Sequence, residues 1–346
     1  MSDTFFRMEY TFVSYNIWKG CVFLAKKMIF MIFIYIITAI IILPAIITYC
    51  SYHSEENTNE TQTTETEGEL ASPEIIRHNT DELEEYIKGV VAAEMPALFE
   101  KEALKAQAVS ARTYAVRKMK EMNTNTIPYN IGQAYITVDE MKQKWKNNFE
   151  EYYNKISEAV EDTKGEIMIY NNEPILAVFH AESGGKTESA ENVWQKEIPY
   201  LKSVDSSLDK NAPNFETNIS FTFDEIIKRF CSQYSDCVLN TETLPQQFYI
   251  QSCSPAGYVQ KMQIGNKIVT GREVREILNL RSTNFTINIE NNNITFTTKG
   301  YGHGAGMSQY GAEFMAKEGK TYQQILEHYY TGISFSTYTV KNTFSE

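Results

Sequence analysis

TDELEEYIKGVVAAEMPALFEKEALKAQAVSARTYAVRKMK, residues 80–120, is the stretch from which the rest of the chain is best read. Apolar residues recur at Leu83, Ile87, Val90 and Val91, the spacing of a helix with one buried stripe. Thr80, Asp81 and Glu84 read as a capping box that starts this helix. Pro96 ends it, since proline has no amide hydrogen to donate and crowds the preceding turn. Just before that stop, where the stripe asks for an apolar residue, the chain places Glu94. Two placements follow. Held at the end of the stripe, the carboxyl is desolvated, its neutral form is favoured and it suits general-acid chemistry. At a frayed end it turns into solvent, as most glutamates do. Beyond Pro96, Leu98 to Met122 reads as a long helix carrying Ala103, Ala106, Ala108, Ala111 and Ala115, small residues of high helix propensity. Gln107 and Arg112 interrupt that small-residue surface. The guanidinium either orients a carboxylate or sugar hydroxyls or lies over the helix surface on its own stem.

Upstream, Met28 to Cys50 contains no charged residue, and the run from Ile29 to Ile47 is long enough to cross a bilayer. Arg7, Lys19, Lys26 and Lys27 precede it and acidic residues follow, which orients the N-terminus to the cytoplasm and the remainder outside. A cleaved signal peptide is the alternative, but no small-x-small site follows the apolar run. Residues 51–79 are rich in Ser, Thr, Asn and Glu and bury too little to fold. The expected organisation is therefore a cytoplasmic segment at 1–27, a single transmembrane helix at 28–50, a disordered linker at 51–79 and a folded domain at 80–346.

A net charge of −12 and the lack of clustered Lys and Arg argue against a nucleic-acid partner. Cys231, Cys237 and Cys253 form an odd external set rather than a disulfide framework, although Cys231 and Cys237 are close enough in sequence to pair. No zinc motif of the usual spacing is present, and neither metal nor cofactor is expected.

Within the folded region, Val138 to Asp162 reads as a helix with Trp145, Phe149, Tyr152, Tyr153, Ile156 and Val160 on one face. Glu166 to Tyr170 and Pro174 to Phe179 flank Asn171 and Asn172, a β-hairpin signal. The second strand runs into His180, Glu182, Ser183, Gly184 and Gly185, a polar loop of the kind that holds sites or is simply satisfied by its own backbone. Trp194, Pro199 and Tyr200 offer aromatic surface for sugar stacking or for a core. A helix over Asp224 to Tyr234, strands at Phe248 to Ser252 and Tyr258 to Ile264, a turn at Gly265 and Asn266, a helix at Thr270 to Leu280 and a strand at Asn293 to Thr298 complete an α+β pattern. Residues 300–311 then read GYGHGAGMSQYG, whose glycines let the backbone approach a ligand, with His303 among them and a helix start near Ser308. No lysine follows as in a nucleotide loop. His180, Glu182 and His303 lie on separate segments without the helical spacing of a metal site.

Taken together, residues 80–340 resemble the stage II sporulation protein D family of bacterial peptidoglycan lytic enzymes. The resemblance is carried by YIKGVVAAEMP at 86–96, KAQAV at 105–109, ARTYA at 111–115, Ser183-Gly184-Gly185, Pro199-Tyr200-Leu201 and the glycine-rich run at 300–312. It implies an α+β extracytoplasmic catalytic domain with a glycan-binding cleft behind a single-pass membrane anchor. The implied reaction is cleavage between N-acetylmuramic acid and N-acetylglucosamine in glycan strands stripped of stem peptides, as a lytic transglycosylase. Glu94 corresponds to the catalytic acid, and Gln107, Arg112, Ser183, Tyr200, His303 and Gln309 would line the saccharide cleft. Relatives that stimulate an amidase give the alternative of a glycan-binding enhancer without its own catalysis. Some relatives carry zinc ligands after the second helix, where this chain has Ile127-Pro128-Tyr129-Asn130-Ile131-Gly132, so no metal is carried over. By the same analogy the domain faces the space between mother cell and forespore, with a sporulation amidase and a polytopic membrane protein as partners.

Overall fold

Helix α1 (Pro73–Glu94) starts earlier than the periodicity at Leu83 indicates, with a proline in its first position, where the missing amide hydrogen costs nothing. Thr80, Asp81 and Glu84 consequently lie inside the helix and not at its cap. The computed structural model describes residues 73–128 and 131–339, and the expected segments at 1–27 and 28–50 lie outside the described residues. The linker expected at 51–79 also lies outside them up to residue 72, and 73–79 are helical. Among the described residues no helix is long and apolar enough to cross a membrane.

After the turn at Pro96, α2 (Lys101–Glu121) runs through the middle of the first core. Its alanines, Leu104, Val109 and Val116 are buried on every side, so the low amphipathicity of the segment reflects a helix with neighbours all round. The single helix expected over 138–162 is two. α3 (Val138–Trp145) is opened by a capping box between Thr137 and Glu140, and α4 (Phe149–Glu161) follows a 3-10 turn at Lys146–Asn148. Lys146 takes a left-handed φ of 48°, which ends the first helix.

Strand β1 (Glu166–Tyr170) turns through Asn171 and Asn172, both at positive φ, into β2 (Glu173–Pro174). The turn is where the asparagine pair requires it. The second strand is shorter than expected, and the chain regains pairing only at β3 (Phe179–His180). α5 (Ala190–Trp194) and a 3-10 turn at Ser207–Asn211 follow.

From there the chain builds a second core. β4 (Glu216–Thr222), α6 (Phe223–Gln233), α7 (Leu244–Gln247), β5 (Phe248–Cys253), β6 (Val259–Ile264), β7 (Lys267–Thr270), α8 (Gly271–Leu278), β8 (Phe285–Glu290) and β9 (Asn293–Lys299) come in order. They form two antiparallel sheets, β4-β9-β8 and β5-β6-β7. Phe221, Phe230, Phe248, Phe285 and Phe296 meet between the sheets and α6 with ring centroids 5.5–6.1 Å apart where they pair.

The chain then returns to the first core. β10 (Met307–Ser308) pairs in parallel with β3, α9 (Gln309–Lys317) and α10 (Tyr322–Tyr329) pack on α2, and β11 (Ser334–Thr337) closes a sheet of order β11-β1-β2. The second core is thus an insertion between two halves of the first. The seam carries specific polar contacts. Tyr258 Oη accepts from the Gly184 N–H and donates to the Lys186 carbonyl, each at 3.0 Å, and Arg281 pairs with the buried Glu182 at 3.1 Å. The expected α+β class describes this mixed architecture. Cys231, Cys237 and Cys253 are free thiols.

Candidate functional site

The end of α1 is held by a strap at 131–137. The strap docks because Gly89 has no side chain: a β-carbon there would overlap the Tyr135 ring. Tyr135 stacks on Tyr86, centroids 5.5 Å apart and planes within 9°. The Ile136 N–H donates to the Gly89 carbonyl at 3.3 Å, and the Tyr86 hydroxyl donates to Gln133 Oε1 at 3.2 Å. Gln133 Nε2 in turn donates to the Ala111 carbonyl of α2 at 3.2 Å. With both ends pinned, the Ala134 N–H points at the last residue of α1 and donates to Glu94 Oε1 at 2.9 Å.

Glu94 is half-buried and lines a pocket of about 190 Å³ with Tyr114, Gly132, Gln133, Val178, Phe179 and His303 among its walls. Burial raises its pKa above the ordinary carboxyl value, opposed by the Ala134 N–H, which favours the carboxylate. One oxygen is therefore oriented by the strap. The nearby Tyr86 phenol is pushed up to about 12, chiefly by burial, and stays neutral.

The far wall comes from the glycine-rich segment. Gly302 takes a φ of 121° and a β-carbon on it would press on the His180 side chain; Gly306, at 72°, lies against the Val178 carbonyl. The segment can follow β3 this closely only with glycine at these two positions. Between them Ala305 uses both backbone groups on histidines. Its carbonyl accepts from His180 Nδ1 at 3.1 Å, and its N–H donates to His303 Nδ1 at 3.1 Å. The two rings lie 5.6 Å apart. Burial pushes His180 down to about 3 and His303 down to about 4, the latter with help from the Arg275 charge. Both imidazoles are neutral at neutral pH, so neither adds a positive charge to the pocket beside Glu94. Among the described residues no three His, Cys, Asp or Glu side chains converge as a metal site would require.

Comparison with known proteins matches residues 72–170 to the family model described as stage II sporulation protein. The chain is 42% identical to stage II sporulation protein D of Bacillus subtilis (strain 168) over 261 residues, which covers 73% of this chain and 74% of that protein. It is 41% identical to stage II sporulation protein D of Bacillus amyloliquefaciens over 262 residues, 73% of this chain and 74% of that one. The chain belongs to the stage II sporulation protein D family. It is also 29% identical over 301 residues to a protein named amidase enhancer from Bacillus subtilis (strain 168), 73% of this chain but 40% of that protein.

For this member of the stage II sporulation protein D family, the structure brings Glu94 and His303 together at one pocket. The other residues assigned to a saccharide cleft by resemblance sit elsewhere, bonded to protein. Arg112 is completely buried and holds Glu84 with Nε at 2.9 Å and Nη2 at 2.5 Å, while Nη1 and Nη2 also donate to the Glu166 and Val160 carbonyls at 3.1 and 3.3 Å. Glu84, in turn, accepts from the Gly165 N–H at 3.1 Å. This pair ties α1, α2 and α4 to the start of β1, and its position corrects the cleft role expected of Arg112. Gln107 and Gln309 are buried against each other, Gln309 Nε2 donating to Gln107 Oε1 at 3.3 Å between α2 and α9.

Ser183 and Tyr200 are likewise internal. The Ser183 N–H donates to the buried Asp209 at 2.6 Å, and Asp209 also accepts from Ser308 Oγ at 2.8 Å, so this carboxylate joins the Gly184-Gly185 loop to the start of α9. The Tyr200 hydroxyl accepts from the Leu176 N–H at 2.9 Å and its ring leans on Tyr170. These five residues build the frame around the pocket and do not line it. Tyr114, Gln133 and Phe179 do line it, and they were not expected to. Tyr114 lies within the ARTYA motif, which was the available signal.

Proposed function

We propose that this chain is a lytic transglycosylase that cuts the bond between N-acetylmuramic acid and N-acetylglucosamine in denuded peptidoglycan strands, with Glu94 as its acid. The observation that carries the reading is the half-buried Glu94 carboxyl, raised in pKa by burial and oriented by the Ala134 N–H at the wall of a pocket. Such a group is protonated at higher pH than a solvated carboxyl and is positioned by a bond that leaves its second oxygen free.

In this mechanism Glu94 gives its proton to the bridging oxygen as the bond from C1 of the muramoyl residue breaks. The 6-hydroxyl of the same residue then attacks C1, and the Glu94 carboxylate takes the hydroxyl proton. A 1,6-anhydro ring forms, the acid is regenerated and no water is consumed. One carboxyl suffices, unlike the pair that ordinary glycosidases use. Neutral His303 and the Tyr114 phenol are available to contact sugar hydroxyls.

Membership of a sporulation family supports action on the wall during engulfment. The uncharged run at 28–50 supports a single-pass anchor that holds the domain in the space between mother cell and forespore. A sporulation amidase and a polytopic membrane protein are the partners proposed by analogy.

The similarity to a protein named amidase enhancer favours a second reading, a glycan-binding scaffold that stimulates an amidase. Purified Glu94→Gln protein separates the two. Loss of strand cleavage by that variant, with wild-type protein active, supports the enzyme. Wild-type protein that binds strands and stimulates an amidase but never cleaves them supports the scaffold.

A further inference from the structure

A second pocket, of about 260 Å³, opens between α5 and α8 and shares the His303 imidazole with the Glu94 pocket. The first core supplies Asn192 and Trp194 to it, and the second supplies Arg272, Arg275 and Glu276. The Trp194 ring lies 5.4 Å from that of His303, so an aromatic wall continues from one pocket into the next.

The charges in this second pocket are not equivalent. Glu188 faces it with a carboxylate already occupied: Oε1 accepts from the Ser189 N–H and from Asn192 Nδ2, each at 2.8 Å, and Oε2 accepts from the Ser254 hydroxyl. Arg272 is exposed and paired with Glu276 at 2.8 Å. Arg275 differs from both. It is half-buried, and its Nε donates to the Leu280 carbonyl at 3.2 Å, which fixes the plane of the guanidinium. Among the described residues no carboxylate stands within ion-pair distance of it, and neither terminal nitrogen has an acceptor within hydrogen-bond distance. A half-buried guanidinium stays charged and presents a planar fork that fits a carboxylate with two parallel bonds.

We propose that Arg275 binds the free lactyl carboxylate of a muramoyl residue in the strand whose glycosidic bond lies at Glu94, and so selects strands without stem peptides. The inference rests on the glycan-cleaving reading above. A stem peptide is joined to that same carboxyl through an amide, which removes the charge and one acceptor oxygen and adds bulk. Arg275 would then discriminate by chemistry, not only by size. A carboxylate further out on a stem peptide is the other source of the same group, and the substrates below distinguish them.

The test uses Glu94→Gln protein, so that strands are bound and not consumed. Binding is measured for denuded oligosaccharides with free lactyl carboxylates, for the same oligosaccharides converted to methylamides, for strands with intact stem peptides, and for N-acetylglucosamine oligomers of equal length. The free carboxylate form is expected to bind about tenfold tighter than the other three, the size of a charge-assisted bond. Adding Arg275→Gln is expected to remove that difference while leaving binding of the N-acetylglucosamine oligomers unchanged. Arg275→Lys, which keeps the charge without the fork, is expected to retain part of it, and this guards against a folding loss in the first variant. A preference for free carboxylates that survives both substitutions overturns the proposal. So does tight binding of peptide-bearing strands that falls with Arg275→Gln. If all four ligands bind equally, only the role of Arg275 fails; if none binds, the glycan reading itself fails.

Discussion

The Tyr135 ring occupies the space that a β-carbon on Gly89 would need, and this contact aims the Ala134 N–H at Glu94. The glycine in the YIKGVVAAEMP run thus acts at one remove on the carboxyl at its end. Lys144 adds a second tie, Nζ donating to the Ala92 carbonyl at 3.0 Å near the C-terminus of α1. Gly89, Tyr135 and Lys144 thus help to position the Glu94 carboxyl without bonding to it.

Gly89→Ala is expected to lift the strap off α1 and lose the Ala134 bond. Strand cleavage should fall by about 10- to 100-fold, the usual cost of a misplaced catalytic group. Titration of Glu94 followed by NMR should move toward the ordinary carboxyl value, because the strap walls its pocket and burial is the larger cause of the raised pKa. Unchanged titration in this variant would mean that the strap does not orient Glu94.

Glu94→Gln is expected to reduce cleavage by about 100- to 10,000-fold, the range of a general acid. Its effect on stability has a definite sign. The folded-state pKa of Glu94 is raised, so the fold binds its proton more tightly than the unfolded chain does. The stabilisation from the neutral form is complete below the unfolded pKa and is lost as pH rises through the folded one. Glu94→Gln should therefore melt higher than wild type at neutral pH, and the two should converge in acid.

The histidines predict an acid limit. His180 and His303 are held neutral, with pKa values of about 3 and about 4 against an ordinary 6.5. The unfolded chain takes up protons first, so their contribution is complete above about 6.5 and is lost as pH falls through the folded values. After burial, the charge that bears on His180 is that of His303, and the charge that bears on His303 is that of Arg275. Chemical denaturation between pH 7 and pH 4 should show stability falling with acid, and His303→Gln should flatten that slope.

Arg112 and Glu84 make the sharpest prediction for stability. Arg112→Met leaves a buried carboxylate without its partner and should cost about 3–5 kcal/mol, seen as a lower denaturation midpoint. Arg112→Met combined with Glu84→Leu should recover most of that loss, because no charge then remains buried. A double variant as unstable as the single one would contradict the ion-pair account.

Much of this frame is legible in the sequence because local chemistry and tertiary packing agree there. The alanines of α2 announce a helix approached on all sides, Asn171 and Asn172 mark a hairpin turn, and Ser308 caps α9 through the Gly311 N–H. Polar residues on those same elements are harder to read. Arg112 and Gln107 look like cleft residues on a small-residue surface, yet their partners Glu84 and Gln309 come from distant segments. Sequence spacing carries no sign of such pairs. The strap at 131–137 and the fork of Arg275 escaped for the same reason, since each acquires meaning only from what is packed against it. The break at Lys146 has no glycine or proline to mark it.

Mass spectrometry of the products from purified denuded strands tests the central claim most directly. A lytic transglycosylase that uses Glu94 alone yields muramoyl ends closed as 1,6-anhydro rings, one water lighter than hydrolysed ends, and Glu94→Gln yields neither. Reducing ends from the wild-type protein, or anhydro ends that persist in Glu94→Gln, would contradict the account.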